Sequence, residues 1–349
     1  MKTKNLLPAI AFLLMVSAIS FRCNDRPEKV IIAFYNVENL FDTINQNGTR
    51  DGEFTPESKL EWNTEKYEKK LHDLAKVITA IDPAHLPIVI GLAEVENRMV
   101  VEDLANRTVL GSAGYGVVHY ESPDERGIDV ALLYRKNYFE PLFSKTYSLG
   151  FSFDPDDKTR DMLYVKGVSP LQDTLHLMID HWPSRSGGAE ESAPKRLAAA
   201  RSVKMVADSI LAVVPDASII IMGDLNDNPI DPSIVEILKA EKPVGDVSNN
   251  RLYNLATEKF EQGEGTLYWR SWDLFDQMIV SGNVLKNDGP YHLQPAEIQI
   301  VKEDWMLFER NDGVKVPNRT AGRNAYYGGF SDHLPVYIEF VRNNTTDVL

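Results

Sequence analysis

The sequence is almost free of cysteine. Cys23 is the only one among 349 residues, which excludes an intrachain disulfide framework. Hydrophobic residues make up 43% and charged residues 25% of the chain, a composition typical of a folded soluble protein rather than a disordered one. A chain of this length buries an ample core, so the fold needs no cross-links.

The chain also lacks a surplus of positive charge. It contains 37 Lys and Arg against 51 Asp and Glu, which gives a formal net charge of -14. This balance argues against a protein that coats nucleic acid through bulk electrostatics. It does not exclude an enzyme that handles a phosphodiester through a bound cation, because the metal reverses the local field.

The N-terminus has the pattern of a secretory signal peptide. Lys2 and Lys4 precede an apolar stretch from Leu6 to Ile19, and small residues follow. The stretch is too short and too near the start for a transmembrane helix. We therefore predict that residues 1–22 are a signal peptide and that the protein is exported, as an outer-membrane lipoprotein, a periplasmic protein or a secreted one.

The end of this signal allows two processing sites. Cys23 stands where a bacterial lipoprotein signal has its acylated residue, and lipidation there anchors a protein to the membrane. Arg22 departs from the small residue that usually precedes that cysteine, so cleavage after Ser20 is the alternative. Residues 23–29 are mostly polar and form a tether in either case.

The remainder of the chain has the pattern of one domain. No internal repeat, low-complexity tract or long linker interrupts it, and we place the domain at residues 30–341 and a tail at 342–349. Short apolar segments bounded by turn-forming residues predict buried strands. They lie at residues 30–37, 86–95, 129–135, 173–182, 217–225, 274–282 and 333–341.

Two segments have the periodicity of amphipathic helices. The first covers residues 61–81 and the second residues 192–214, where Ser192 and Pro194 indicate the helix start. The apolar stripes are Tyr67, Leu71, Leu74 and Ile78 in the first helix and Leu197, Ala200, Val203, Val206 and Ile210 in the second. Because strands alone predominate near the C-terminus, two packed sheets with outer helices fit better than one open parallel sheet.

Nearly every predicted strand ends, or in the last case begins, in polar residues. These residues are Asn36, Glu38, Glu94, Glu96, Asp180, His181, Asp224, Asn226, Asp276, Asp332 and His333. Strand ends that meet at one rim collect these carboxylates, amides and two imidazoles in a single cleft. Oxygen ligands with few nitrogens and no sulfur suit Mg2+, Mn2+ or Ca2+ rather than zinc.

Each of these positions also has a structural alternative. Glu94 can be a solvated strand end, and Asn36 can cap the turn that follows it. In IIIMGDLNDNP (219–229), polar residues alternate as in a calcium-binding EF-hand loop. The EF-hand is excluded because Pro229 and Val235 stand where that loop needs glycine and glutamate, and because a strand leads in instead of a helix.

Seven motifs occur in order along the chain. They are YNVENLFD (35–42), GLAEVEN (91–97), RGIDVALLY (126–134), DHWPSR (180–185), GDLND (223–227), WDLFDQ (272–277) and GGFSDHLPV (328–336). Together they resemble the endonuclease/exonuclease/phosphatase superfamily, which includes deoxyribonuclease I, abasic-site endonucleases, sphingomyelinases and inositol-polyphosphate 5-phosphatases. The resemblance covers about Val30 to Val341. It implies a four-layer α/β sandwich of two packed mixed sheets flanked by helices. The sequences of the motifs are most similar to those of secreted or lipoprotein bacterial members.

The resemblance also implies the metal site. Asn36 matches the family's metal-site amide, and Glu94 matches its principal metal-ligand carboxylate. Glu38 falls where some members have a metal-binding Asp, and Asp332 belongs to the closing Asp-His pair. We therefore predict that these four residues hold Mg2+, with Mn2+ or Ca2+ as alternatives.

The catalytic roles follow from the same resemblance. Asp224 matches the carboxylate that orients the attacking water, and Asn226 matches the amide that holds a phosphate oxygen. Asp276 matches the partner that orients the final histidine, which is His333. His181 stands where deoxyribonuclease-like members have a His that contacts the scissile phosphate.

Three further residues near the motifs have two interpretations each. Close relatives have Asn where this chain has Asp180, so the extra charge either favours the protonated form of His181 or points into the edge of the core. Arg126 and Arg185 are predicted to bind substrate as bidentate donors to phosphate. Each arginine can instead form a structural ion pair.

The first functional hypothesis is a secreted or membrane-anchored, metal-dependent phosphoesterase that acts as a nuclease on DNA or RNA. A sphingomyelinase-like or inositol-phosphate-phosphatase-like hydrolase is the alternative, and Trp269 and Trp272 are then candidates for a membrane-facing loop. A third class is a surface protein that keeps the cleft for binding without turnover. The sequence indicates no protein partner and no oligomeric state.

Overall fold

The structure, a computed structural model, describes residues 26–46, 48–171, 174–322 and 324–343. The predicted signal peptide and its candidate lipidation site, Cys23, lie outside the described residues. Within the described part of the chain, no helix is long and apolar enough to cross a membrane. The processing of the N-terminus therefore stays a prediction.

The described residues form twenty strands and four α-helices. The strands are β1 (Lys29–Leu40), β2 (Val89–Val95), β3 (Tyr115–His119), β4 (Asp129–Arg135), β5 (Glu140–Tyr147), β6 (Met162–Val168), β7 (Thr174–His181), β8 (Ser218–Asp224), β9 (Ala240–Glu241), β10 (Leu252–Asn254), β11 (Leu267–Tyr268), β12 (Trp272–Asp273), β13 (Asp276–Ser281), β14 (Tyr291–Leu293), β15 (Gln299–Ile300), β16 (Leu307–Glu309), β17 (Lys315–Pro317), β18 (Ala321–Gly322), β19 (Ala325–Tyr326) and β20 (Val336–Arg342). The helices are α1 (Thr64–Ile81), α2 (Arg98–Asn106), α3 (Ala189–Val213) and α4 (Thr257–Glu261).

Two seven-stranded sheets form the centre of the fold. The first sheet has the order β14-β20-β1-β2-β4-β3, with β15 also paired to β20, and the second has the order β5-β6-β7-β8-β13-β10-β9. In the first sheet β1 and β2 run parallel while β1 and β20 run antiparallel. In the second, β7 and β8 run parallel while β8 and β13 run antiparallel. The predicted mixed sheets are confirmed.

The strand β1 shows how the layers arise. Its alternate residues Ile31, Ala33 and Tyr35 pack in the cluster that contains α1, and Ile32 and Phe34 pack between the two sheets. Side chains alternate across a strand, so both faces of β1 are covered. This double burial explains the unbroken apolar run of its sequence.

Helices α1, α2 and α3 cover the outer faces of the two sheets. The predicted stripe of α1 is buried against the first sheet through Tyr67, Leu71, Leu74 and Ile78. The helix α3 packs on the second sheet through Ala199, Ala200, Val203 and Ala207. The order of layers is therefore helices, sheet, sheet, helix, which confirms the four-layer sandwich.

The helix α3 differs from its prediction. It begins at Ala189, three residues before Ser192, because Gly188 supplies the preceding turn with a φ of 131° that favours glycine. Arg196 lies on its buried face and donates from Nε to Asp227 Oδ1 at 2.6 Å. Of the predicted stripe, Ala200, Val203 and Val206 are buried, while Leu197 and Ile210 are half-buried. Apolar periodicity did not indicate the buried Arg196.

Candidate active site

Three strand ends of the second sheet place three titratable residues side by side. His181 at the end of β7 is in register with Asp224 at the end of β8. Asp224 is also in register with Asp276, the first residue of β13. Since β7 and β8 are parallel and β13 is antiparallel to β8, two ends and one beginning share the same edge.

The buried carboxylate of Asp224 contacts several polar groups at this edge. Its Oδ2 atom accepts from Asn36 Nδ2 at 3.0 Å and lies 3.5 Å from His181 Nε2 and 3.7 Å from His333 Nε2. Its Oδ1 accepts from the backbone N–H of Asn226 at 3.0 Å. Burial raises the pKa of the Asp224 carboxyl above its usual range, although the charge of His333 lowers it.

His333 is held from two directions. Its Nδ1 lies 2.7 Å from Asp276 Oδ2, and its backbone N–H donates to the Ser331 hydroxyl at 3.0 Å. That hydroxyl in turn donates to the backbone carbonyl of Asn36 at 2.8 Å, which ties the loop to β1. Burial lowers the pKa of His333, but the charges of Asp276 and Asp224 outweigh it and raise this pKa well above its usual value.

His181 has the opposite tendency. Burial lowers its pKa well below the usual value, and the positive charges of Arg160 and Arg126 lower it further. Its Nδ1 atom is buried and has no hydrogen-bond partner among the described residues. An unpaired acceptor costs less than an unpaired N–H group, so the neutral ring keeps its proton on Nε2, which faces Glu94 and Asp224.

The first sheet contributes residues from irregular strand ends. The β1–β2 register shifts after Asn36 on one strand and after Ala93 on the other. Glu38, Asn39 and Glu94 have left-handed backbones with φ of 48°, 55° and 63°, a conformation that is uncommon for residues other than glycine. The bend at Glu94 brings its Oε1 to 3.8 Å from His181 Nε2 of the second sheet, while Glu38 reaches Arg319 and Thr320, and such strain is concentrated at functional sites.

Two of the predicted metal ligands have oxygens that a cation can use. Glu94 Oε2 accepts from the backbone N–H of Asn39 at 3.1 Å, and Arg126 Nη2 lies 3.8 Å away. The side-chain amide oxygen Oδ1 of Asn36 accepts from the backbone N–H of Glu38 at 3.0 Å and keeps a second lone pair. A carboxylate and an amide oxygen at one rim fit a hard cation such as Mg2+.

The other two predicted ligands are held by a residue that the sequence did not indicate. Arg319 donates to Glu38 at 3.0 Å and lies 3.1 Å from Asp332 Oδ2. The second oxygen of Glu38 accepts from the backbone N–H of Thr320 at 2.6 Å. A metal role for Glu38 would require these contacts to break. Arg319 lies in a loop without a motif, so no sequence signal could have identified it.

A separate acidic cluster lies at the start of β4. Among the described residues, the one group of three or more His, Cys, Asp and Glu side chains whose ligand atoms lie within 4.8 Å of each other is His119, Glu121 and Asp129. His119 Nε2 is 3.0 Å from Asp129 Oδ2, while Asp129 Oδ1 accepts from the backbone N–H of Ser122. Both Asp129 oxygens therefore already have protein partners.

The predicted substrate arginine Arg185 has four contacts. Its guanidinium lies 3.1 Å from Asp227 Oδ1, 2.6 Å from Asp231 Oδ2 and stacks over Phe275. Its Nε donates to the carbonyl of Asn226 at 2.8 Å. Arg185 thus supports the backbone of Asn226, and a direct contact to substrate stays a prediction. Arg126 is the more accessible of the two arginines, with 47% of its side chain exposed against 28%.

Two strand-end acids bond to structural groups instead. Glu96 Oε2 accepts from the backbone N–H of Asp42 at 2.7 Å, which ties down the loop after β1. Asp180 points to the opposite face from His181, as alternate strand residues do, and accepts from the Trp182 indole at 3.1 Å. Burial raises the pKa of Asp180 to about 7. Of the two interpretations of Asp180, the structure supports the one in which it faces the core.

The comparisons with known proteins agree with this architecture. Residues 31–342 match the model of the Endonuclease/Exonuclease/phosphatase family. The chain belongs to this family. The predicted resemblance is thereby confirmed over nearly all of the described residues, and the family is one of nucleases and phosphatases. No curated protein sequence matches the chain significantly.

Solved structures of the family share its fold at low identity. The human Nocturnin catalytic domain with bound sulfate anion is 16% identical, with a TM-score of 0.54 over 90% of this chain and 95% of that chain. The endonuclease/exonuclease/phosphatase from Bacteroides vulgatus is 15% identical, with a TM-score of 0.52 over 90% and 99%. D. rerio TDP2 complexed with a single-strand DNA product is 17% identical, with a TM-score of 0.52 over 91% and 100%.

Proposed function

We propose that the protein is a metal-dependent phosphodiesterase that hydrolyses the backbone of DNA or RNA. The observation that carries the proposal is the convergence of two imidazoles on one buried carboxylate. The Nε2 atoms of His181 and His333 lie 3.5 and 3.7 Å from Asp224 Oδ2. Phosphodiester hydrolysis needs a group that directs water at phosphorus and donors for the oxygens that gain charge. These three side chains supply both.

Asp224 is the group that directs water. It accepts a hydrogen bond from the attacking water and takes up its proton as the bond to phosphorus forms. Burial raises its pKa, which makes the carboxylate a stronger base. Asn36 and the backbone N–H of Asn226 fix the carboxylate at 3.0 Å each, so it is oriented before substrate arrives.

The two histidines act as donors with different charges. His333, protonated beside Asp276, donates through Nε2 and places a positive charge against the phosphoryl oxygens. His181 is neutral and donates a hydrogen bond from its Nε2 without adding charge. The positively charged His333 and the neutral, dipolar His181 thus lie on either side of Asp224. Both rings are fixed by burial.

The cofactor is proposed to be Mg2+, with Mn2+ or Ca2+ as alternatives. A divalent cation would supply charge for a non-bridging oxygen and for the leaving oxygen. Glu94 and the side-chain oxygen of Asn36 would hold it. No cationic side chain lies within hydrogen-bond distance of these oxygens among the described residues. Asp332 would join them only on release from Arg319.

A nucleic-acid substrate is supported by two observations. A family member of known structure, D. rerio TDP2, has a single-strand DNA product bound. In this chain Arg126 lies at the rim next to Glu94 with its side chain about half exposed, where it can meet a phosphate of a longer substrate. The overall negative charge then restricts binding to this local patch.

The diester specificity can be tested with two small chromogenic substrates. We expect the purified protein with Mg2+ to hydrolyse bis(p-nitrophenyl) phosphate much faster than p-nitrophenyl phosphate, and chelator to abolish the reaction. The His333→Ala variant should fold normally by circular dichroism and lose the activity. Equal or faster hydrolysis of the monoester would replace the diesterase with a phosphatase.

A phospholipid substrate is a second candidate because of one exposed aromatic residue. Trp269 is 71% exposed and lines a cavity of about 520 Å3 that also borders Asn226 and Asp332. An exposed tryptophan beside a site is a means of contact with a lipid interface. Release of headgroup from sphingomyelin vesicles by the protein, and its loss in Trp269→Ala with DNA cleavage unchanged, would establish this candidate.

We also propose that the protein is exported through residues 1–22, on the pattern of its N-terminus. The lipid anchor at Cys23 and cleavage after Ser20 give different products. Expression of the full chain in a bacterial host should yield either a membrane-bound acylated protein that begins at Cys23 or a soluble one that begins at Phe21. Mass spectrometry of the N-terminus separates the two, and an intact Met1 in the cytoplasm would refute export.

A further inference from the structure

A polar cavity of about 520 Å3 adjoins the active site on the side of β7. We call it the side cavity. Pro183 and Ser184, which follow directly after His181 and Trp182, form part of its wall. Arg126 forms another part, and its guanidinium lies 3.8 Å from Glu94. Arg126 therefore stands between the catalytic centre and the side cavity.

The charges of the side cavity are unevenly paired. Its lining has five cationic and four acidic side chains. Three of the acids have cationic partners, in the pairs Asp124–Arg160, Glu125–Arg50 and Asp157–Lys195. Lys158 forms no ion pair or hydrogen bond with another described side chain, and the remaining acid is Glu191. Arg126 has its partners outside the lining, Glu94 at 3.8 Å and the Asn39 side chain, so Lys158 is the one cation of the lining without an ion-pair partner among the described residues.

Neutral donors add to this imbalance. Thr159 is buried and lines the side cavity, and its hydroxyl has no hydrogen-bond partner among the described residues. A buried hydroxyl without a partner is costly, and a ligand oxygen would supply the missing partner. The first turn of the 25-residue helix α3 also reaches the wall, through Glu191 and Ser192, and the N-terminus of a helix carries a partial positive charge.

We propose that the side cavity binds a second phosphate group of the substrate, next to the phosphate that is hydrolysed. The proposal rests on the proposed phosphodiesterase function and adds that a second phosphate on the substrate strengthens its binding. Arg126 spans both positions, and Lys158 and Thr159 belong to the second one alone. Two classes of substrate supply such a second phosphate. It is the neighbouring phosphodiester linkage in a polynucleotide, or a ring phosphate in an inositol polyphosphate.

Steady-state kinetics of Lys158→Ala on three substrates test this subsite. Bis(p-nitrophenyl) phosphate has one phosphate, a 5'-phosphorylated thymidine trinucleotide has several, and glycerophosphoinositol 4-phosphate has a diester and a ring monoester. Lys136 is the matched control, because it is an exposed lysine in the turn after β4, at the opposite edge of the sheet. The salt dependence of KM is measured alongside.

We expect Lys158→Ala to raise KM roughly fivefold on a substrate with a second phosphate, and to reduce the salt slope of log KM by about 1. A change confined to the trinucleotide identifies the polynucleotide as the source, and one confined to the inositol substrate identifies that class. An equal effect of Lys158→Ala on the one-phosphate substrate, or no effect on any, overturns the subsite. If the subsite is overturned but the wild-type protein hydrolyses bis(p-nitrophenyl) phosphate, the proposed phosphodiesterase function still holds. If the wild-type protein hydrolyses none of the three substrates, both the subsite and the proposed function are refuted.

Discussion

The Nδ1 atom of His333 lies 2.7 Å from the Oδ2 atom of Asp276, and both side chains are buried. The contact fixes which nitrogen of the ring faces the strand and leaves Nε2 directed at Asp224. The Asp276 charge also opposes the burial that lowers the His333 pKa. The orientation of the ring thus depends on Asp276, and its charge depends on Asp276 together with Asp224.

The Asp276→Asn variant should lose most of its turnover. The amide keeps the size of the side chain but removes the charge that stabilises the imidazolium. We expect kcat for bis(p-nitrophenyl) phosphate to fall by about 100-fold or more, because an acid-base partner of this kind contributes 100-fold to 10000-fold, roughly. Asp246→Asn, at an exposed loop position, is the control and should retain full activity. Unchanged kcat in Asp276→Asn would remove the pair from the mechanism.

The Glu94→Gln variant should need more metal. Loss of one carboxylate ligand is expected to shift the Mg2+ concentration for half-maximal activity upward by about 10-fold to 100-fold, as changes near metal ligands do. Glu121→Gln changes the separate cluster with His119 and Asp129 and should leave the activation curve in place. Metal titrations of both variants decide which acidic group holds the cation. A shift in Glu121→Gln alone would move the metal site to the start of β4.

The buried Asp180 should make stability depend on pH. Its pKa is raised to about 7 by burial, so between about pH 4 and pH 7 the folded form keeps a proton that the unfolded form has lost. Stability therefore falls as pH rises through this window. Asp180→Asn keeps an oxygen for the Trp182 indole and removes the charge. Urea unfolding should show the variant more stable at pH 8 by up to about 4 kcal/mol and equal to wild type at pH 4.

The exposed Asp216 provides the control for that experiment. Asp216→Asn should follow the wild-type stability curve at both pH values, because its carboxylate stays in water. If Asp180→Asn is no more stable than wild type at pH 8, Asp180 is charged in the folded protein at little cost. Its burial would then have no role in the pH dependence.

The ion pair beneath α3 should be needed for folding stability. Arg196 is 2% exposed and donates to Asp227 Oδ1 at 2.6 Å. The Arg196→Ala variant leaves Asp227 without this partner, and removal of one member of a buried pair costs about 3 to 5 kcal/mol. Lys204→Ala, which breaks the surface pair with Asp208 on the same helix, should cost less than about 1 kcal/mol. Thermal unfolding compares the two, and equal losses would contradict the argument.

The sequence predicted the parts of this protein that depend on local pattern. The apolar strands β1, β2, β4, β7, β8, β13 and β20 and the stripe of α1 follow from burial, which leaves a periodic signal. The helix α2 was not predicted, since its apolar residues 100, 101, 104 and 105 form a stripe of little more than one turn. The last strand begins at Val336 instead of His333, so the histidine lies in a loop fixed by Ser331.

The candidate site was predicted as a list of positions, and its connections were not. Strand ends carry Asp224 and Asp276, and the sheet register that aligns them depends on tertiary pairing. The link from Arg319 to Glu38 joins residues 281 positions apart in the chain and has no motif. Long-range ion pairs of this kind leave no periodicity, so only the folded structure reveals that Glu38 already has partners.

The measurement that tests the central claim most directly is cleavage of supercoiled plasmid DNA by the purified protein. Reactions contain Mg2+ or excess chelator and compare wild type with His333→Ala and Asp246→Asn. We predict nicking that requires the metal, is unchanged in Asp246→Asn and falls at least about 100-fold in His333→Ala. Nicking by His333→Ala at the wild-type rate would place the chemistry elsewhere, and no nicking by the folded wild-type protein would contradict a nuclease that acts on DNA.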